Sequence, residues 1–191
     1  AGVSFVLIRA NSWFPIPAPP RTLPYPPIPV IPILYHDDSV VAVDKPAGLL
    51  VHRTRLAPRD TRFLLQILRD QLGQRVYPVH RLDRPTSGVL LFALHPTAAA
   101  ELSDAFFQRR VEKTYLCVVR GWPDESFTLD TPLRTHRESG AGEPETVDAV
   151  TRFRRRARTE LPYAVSKYPT ARYSLLSAHP ETGRKHQIRR H

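Results

Sequence analysis

Nine of the 20 prolines fall within the first 32 residues, in runs such as PIPAPPRTLPYPPIPVIP. Proline has no amide hydrogen and a fixed φ, so a stretch this crowded lacks the donors for a sheet interior and cannot propagate a helix. Residues 1–32 are therefore expected to form an extended or disordered leader. The folded domain is sought in residues 33–191, where apolar residues recur with regular periods.

ILYHDDSVVAVDKPAG (33–48) reads as a strand, a turn at Asp37 and Asp38, a second strand at 40–43 and a break at Lys45-Pro46. DTRFLLQILRDQL (60–72) predicts a helix: Asp60 can cap it, Phe63, Leu64, Ile67 and Leu68 share one face, and Gly73 ends it. The unbroken apolar run at 89–94 predicts a buried strand. A second amphipathic helix is expected over 97–109, with Ala99, Leu102 and Phe106 on one side. Residues 115–119 are apolar on both faces, which predicts a central strand. HRESGAGEPET (136–146) reads as a loop, and 147–156 and 172–178 as further strands, the last feeding a turn at 180–183. Helices and strands in mixed order with hairpin-length links predict an α+β domain: a mixed, mostly antiparallel sheet with flanking helices.

Charge narrows the function. Lys and Arg total 28 against 18 Asp and Glu, a formal net charge of +10, which predicts attraction to polyanions, nucleic acid first among them. Only Lys45, Lys113, Lys167 and Lys185 are lysines. The arginine excess suits bidentate phosphate contacts and stacking on bases. No apolar run approaches the ~18–20 residues of a membrane span, and AGVSFVLIRA lacks the cationic start of a signal peptide. The single cysteine, Cys117, cannot form an internal disulfide, which suits a reducing cytoplasm. No Cys/His cluster has zinc spacing, so no metal is expected.

Three segments concentrate unusual chemistry: HRLDRPTSG (80–88), KTYLCVVRG (113–121) and TGRKHQIRRH (182–191). Each lies at or within a predicted strand, and their side chains are expected to converge on one cleft. VAVDK (41–45) before HRLD (80–83) faintly suggests a protein kinase, but no glycine-rich loop precedes the lysine and Gly88 stands where the metal-binding Asn would be. A glycosidase would need two carboxylates flanking one bond, whereas Asp83 stands alone between Arg81 and Arg84. A lone carboxylate among cations should stay ionised and suits a nucleophile better than a general acid. On chemistry alone, an ion pair that only braces a loop is the competing reading.

The wording of the segments decides for the first. HRLDRPTSGVLLFAL closely resembles the catalytic motif of the RluA-type pseudouridine synthases; DDSVVAVDKPAGLLVH (37–52) resembles the family's first motif, EKTYLCVVRGW (112–122) its tyrosine strand and ETGRKHQIRRH (181–191) its arginine motif. Order and spacing agree from about Ile33 to His191. KYPTARY (167–173) and TGRKHQIRRH are most similar to a tRNA-modifying branch that lacks an added S4-type RNA-binding domain.

The resemblance implies the pseudouridine synthase catalytic fold and a cofactor-free isomerisation: C1′–N1 of uridine is cut, the base turns, and C5 takes its place. It implies that Asp83 is the nucleophile or deprotonates C2′. Tyr115 stacks under the base and serves proton removal at C5, and Arg189 pairs with the aspartate. It implies that Ile188 lines the pocket and Arg81 fills the space left by the flipped nucleotide, with Arg84, Arg184 and Lys185 as further RNA contacts. His80, Thr86 and Ser87 read as structural, and Cys117 as core. The implied partner is RNA, in the first place the T-stem uridine of tRNA, with no membrane and no obligate protein partner, hence a monomer. Two alternatives stand beside it: a synthase for ribosomal RNA, and an inactive, truncated RNA-binding relative. The second arises because the family continues past the position of His191, so a C-terminal part is expected to be missing.

Overall fold

The computed structural model describes the backbone of residues 6–9 and residues 30–53, 62–135, 145–165 and 167–191. In chain order the elements are β1 (Val6–Arg9), β2 (Ile33–His36), β3 (Val40–Lys45), α1 (Leu64–Leu72), β4 (Tyr77–Pro78), β5 (Gly88–Ala93), α2 (Pro96–Phe107), β6 (Thr114–Arg120), β7 (Ser126–Asp130), β8 (Leu133–Thr135), β9 (Glu145–Val147), β10 (Val150–Leu161), β11 (Ala171–Pro180) and α3 (Gln187–Arg190). They divide into two compact units, Ala10–Arg110 and Ala1–Arg9 with Val111–His191. Among the described residues no helix is long and apolar enough to cross a membrane.

The Ala10–Arg110 unit holds an antiparallel sheet in the order β2-β3-β5-β4. Asp37 makes the first turn: its Oδ1 accepts the amides of Ser39 and Val40 at 2.8 and 2.7 Å. Val41 and Val43 of β3, and Leu90 and Phe92 of β5, are fully buried, as the apolar run predicts. α1 buries Leu64, Ile67 and Leu68, and Gly73 ends it in the left-handed region at φ 66, where glycine meets no Cβ penalty. Its start differs from the expected Asp60 cap. Residues 54–61 lie outside the described residues, and Phe63 occupies the cap position without a side-chain bond, held extended in a parallel bridge to Leu50. The amides of Leu64 and Leu65 instead donate to the carbonyls of Leu50 and Val51 at 2.9 and 3.0 Å. Another segment's backbone thus does the work of a cap.

α2 begins one residue before the expected position. The His95 ring accepts the Ala98 amide at 3.2 Å, and Pro96 occupies the first turn, where a missing N–H is harmless. Ala98 is buried, with Leu102 and Phe106 half-buried, and the helix packs on β4 and β5. The proline-rich segment ends in an anchor: Ile31 is 1% exposed, and its amide and carbonyl both pair with the Gln71 side chain at 2.9 Å. Residues 10–29 lie outside the described residues.

The second unit is built on a five-stranded sheet in the order β1-β6-β11-β10-β7. Its pairs are antiparallel except β1 with β6, where Val6–Arg9 lies along the outer edge opposite Thr114 to Cys117. β10 and β11 form a long hairpin with a register shift between Arg155 and Ala157. Cys117, Phe153, Leu176 and Ala178 make the core, with Tyr115, Val119, Phe127, Leu129 and Ile188 packed against it. The Phe127 and Phe153 rings stack at 5.0 Å. β6 is flanked by strands on both sides as expected, yet its two faces are unequally buried. Cys117 points to the core, and Val118, on the opposite face, is 42% exposed. Part of the expected 136–146 loop is a strand: β9 pairs with β8 in a separate two-stranded ribbon, and 136–144 lie outside the described residues.

Both units follow the α+β, mostly antiparallel plan.

Candidate active site

Asp83, Arg81 and Arg84 sit on the segment that leads into β5. Thr86 N donates to the Asp83 carbonyl at 3.0 Å, closing a turn that leaves Asp83 half-buried and both arginines exposed. The preceding loop braces this turn from both chemical sides. Gly48 N donates to the Arg84 carbonyl at 2.8 Å, and Arg84 Nε donates to the Gly48 carbonyl at 3.0 Å. Gly48 has φ 88, a conformation that side chains disfavour, so the bend of this loop is glycine's. Arg84, expected to touch RNA, thus also secures the loop.

Beneath the turn lies a residue that sequence reasoning passed over. Lys45, the last residue of β3, is 0% exposed. Its Nζ donates to the carbonyls of Thr86 at 2.7 Å, Pro46 at 2.9 Å and Arg84 at 3.3 Å. Three donors therefore meet three acceptors from both loops. Burial lowers the ammonium to about 8, and the charge of Asp83 opposes that shift. A signal existed in VAVDKPAG: a lysine that continues an apolar strand into a Pro-Gly break is placed to be buried. His80 is structural as expected. Its Nε2 accepts the Leu91 amide at 3.0 Å, and its ring stacks on Phe106 at 4.4 Å. Thr86 is 6% exposed, buried within the turn.

The other five expected site residues belong to the second unit. Tyr115 lies near the start of β6, opposite Ala178 of β11, and packs half-buried against the core cluster. Ile188 of α3 packs on the same cluster, so these two are brought together. Arg184 precedes α3 and donates from Nε to the Asp148 carbonyl at 2.8 Å; Lys185 and Arg189 are exposed.

The turn that carries Ile188 and Arg189 is tied down by Gln187, also missed in the sequence. Its Oε1 accepts from Thr182 Oγ1 at 2.8 Å and from Arg184 N at 2.9 Å. Its Nε2 donates to the Val150 carbonyl at 3.0 Å and to Thr151 Oγ1 at 2.9 Å. The amide is only 5% exposed and uses both ends, while His191 closes the network on Thr151 at 2.9 Å. Its sole sequence signal is its place inside the QIR triplet. Among the described residues no cluster of three His, Cys, Asp or Glu side chains could hold a metal ion.

The family model described as RNA pseudouridylate synthase matches residues 39–191. The chain is 49% identical over 164 residues to "tRNA pseudouridine synthase C" of Vibrio parahaemolyticus, and 50% identical over 164 residues to the protein of that name in Vibrio cholerae. Each alignment covers 83% of this chain and 67% of the relative, so the chain spans about two thirds of the length of these curated relatives. Among solved structures, "Human RNA Pseudouridylate Synthase Domain Containing 4" superposes with a TM-score of 0.62 at 23% identity, covering 83% of this chain and 62% of that one. "Human RNA Pseudouridylate Synthase Domain Containing 1" gives 0.64 at 24% identity, covering 87% and 66%. At that identity the two structures speak for the fold. The family match holds both the braced Asp83 turn and the strand and helical turn of the second unit. The chain belongs to the RNA pseudouridylate synthase family, a family of isomerases.

Proposed function

We propose that this chain isomerises a uridine of tRNA to pseudouridine, with the T-stem uridine as its target. The observation that carries the reading is the Asp83 turn: a half-buried carboxylate between two exposed arginines, on a loop fixed from below by a buried lysine. A nucleophile or base must be held firmly, because small misplacements cost large factors in rate. A loop that only needed a salt bridge would have no use for three carbonyl contacts to a buried lysine beneath it. The relatives' names support tRNA as the substrate class.

In this reading Asp83 acts at the ribose, either on C1′ or on the C2′ proton, as the C1′–N1 bond breaks. The uracil then turns and bonds to C1′ through C5. The C5 proton leaves with help from the Tyr115 phenol, and N1 gains one, so atoms balance and no cofactor is required. Arg189 supplies a positive charge that balances the carboxylate and the developing uracil anion. Ile188 lines the pocket. A stem uridine must leave its stack first, at a cost of about a few kcal/mol, and Arg81 fills the gap. Excluding water preserves the detached base. Arg84, Arg184 and Lys185 contact the RNA.

The test is to map pseudouridine in tRNA and ribosomal RNA from cells with and without the gene. Loss confined to the tRNA T-stem supports the reading. Loss in ribosomal RNA alone, or nowhere, overturns it.

A further inference from the structure

The end of the β10–β11 hairpin carries a cluster that none of the roles above uses. Arg158 of β10 and Arg172 of β11 both lie over the Trp122 ring, with guanidinium carbons 4.9 and 4.3 Å from its centre. Arg120 and Lys167 lie over the Tyr168 ring at 5.8 and 5.5 Å. Trp122 is 37% and Tyr168 54% exposed, so both rings stand at the surface with cations on them. Four cations gather on the two rings, and Glu160 accepts from one of them, Arg172 Nε, at 3.1 Å.

The cluster is held in place. Trp122 Nε1 donates to the Thr159 carbonyl at 3.3 Å, Gly121 N to the Arg172 carbonyl at 2.8 Å, and Ser174 Oγ to the Gly121 carbonyl at 2.9 Å. Val165 and Tyr168 exchange backbone bonds at 2.9 and 3.1 Å, which closes the hairpin end. Arg120 spends one N–H on the Val165 carbonyl at 3.4 Å and Arg172 its Nε on Glu160 at 3.1 Å; a guanidinium has five N–H donors, and a planar fork of them matches phosphate oxygens. Each ring contact is individually weak at the surface. Its larger effect is to fix where the charge points.

We propose that this cluster is a second RNA contact, binding the phosphodiester backbone of the substrate at a distance from the reacting uridine. RNA as the occupant rests on the function proposed above, and the charge supports it independently: four cations on two exposed rings of a protein of net charge +10. Arg120 closes the strand on which Tyr115 stands, five residues and about 17 Å further along β6, which sets the cluster apart from the residues assigned to the reacting uridine. The contact is with phosphate and so carries no sequence preference.

The experiment measures binding of a full tRNA transcript between 50 and 200 mM salt. It compares wild type, the triple variant Arg120→Gln/Arg158→Gln/Lys167→Gln, and a control, Arg69→Gln/Arg75→Gln/Arg110→Gln, that loses equal charge in the other unit. Each lost phosphate contact should reduce the slope of log affinity against log salt by ~0.7–0.9. The cluster variant should therefore be shallower by about 2, with affinity down at least tenfold near 100 mM, and the control should stay within about half a unit of wild type. Equal slopes in wild type and cluster variant overturn the proposal, as does an equal fall in the control. Equal tRNA slopes with lost affinity for polyglutamate would reassign the cluster to an acidic protein. A second measurement uses wild type alone and does not depend on a variant folding: acylation of Lys167 by an amine-reactive ester should slow severalfold when tRNA is bound, and an unchanged rate overturns the proposal. Binding needs no turnover. A wild type that makes no pseudouridine yet shows the slope difference refutes the proposed function and leaves this contact standing.

Discussion

The ammonium of Lys45 donates to the carbonyl of Thr86 at 2.7 Å, across 41 residues of chain, and so joins the end of one strand to the turn that presents Asp83. A buried cation costs solvation, and here three carbonyl acceptors and the nearby Asp83 charge offset it.

That relationship has a definite pH signature. Burial holds the folded-state pKa of Lys45 at about 8, below the ordinary lysine value of 10.5. Between those values the unfolded chain binds the proton that the folded chain has lost, so stability contributed by Lys45 rises with pH. It is least below pH 8 and complete above 10.5. Relative to Lys45→Met, wild type should gain on the order of 1–3 kcal/mol across this window. Denaturant melts of both proteins at four pH values check it. A difference that is flat or falls with pH would contradict the buried, depressed lysine.

Asp83→Asn keeps the side-chain volume and the surrounding arginines but removes the negative charge. Pseudouridine formation on a tRNA transcript should fall by at least ~10³-fold, in line with loss of a covalent or basic group, while tRNA affinity stays within a few-fold. Turnover near wild type would remove Asp83 from the mechanism.

Tyr115→Phe retains the ring that packs on the core cluster and deletes only the hydroxyl. Single-turnover rate should drop about 10²-fold or more, as for a lost acid–base group, with Tm and tRNA affinity little changed. A purely structural tyrosine would give the reverse, a shifted Tm with the rate intact.

Gln187→Leu fills a similar volume but removes four hydrogen bonds; Thr151 Oγ1 and the Val150 carbonyl keep His191 and the Glu181 amide, while the Thr182 hydroxyl proton and the Arg184 amide lose these acceptors. Buried groups left unsatisfied cost ~1–3 kcal/mol each before relaxation, so a net loss of about 2–4 kcal/mol is expected. Activity should fall further than stability explains, because Ile188 and Arg189 ride on the same turn. Urea melts combined with turnover at a temperature where the variant is fully folded separate the two effects.

Local order was legible where local rules govern it. The apolar run at 89–94 is a strand that buries Leu90, Phe92 and Ala93, and Gly73 ends α1 because its left-handed φ is the glycine conformation. HRLDRPTSG marked the Asp83 turn because its residues are contiguous, and the turn closes on itself from Asp83 to Thr86. The start of α1 was not legible: its first amides bond to Leu50 and Val51, on a segment whose approach no window around Asp60 contains. Nor were Lys45 and Gln187. Each binds groups 36 to 41 residues away, and a polar side chain shows its value only when the fold has brought acceptors to it and shut out the water that would otherwise compete. Residue chemistry and period are properties of the chain. Which loop is braced, and by whom, is a property of long-range contact, and only the tertiary structure decides it.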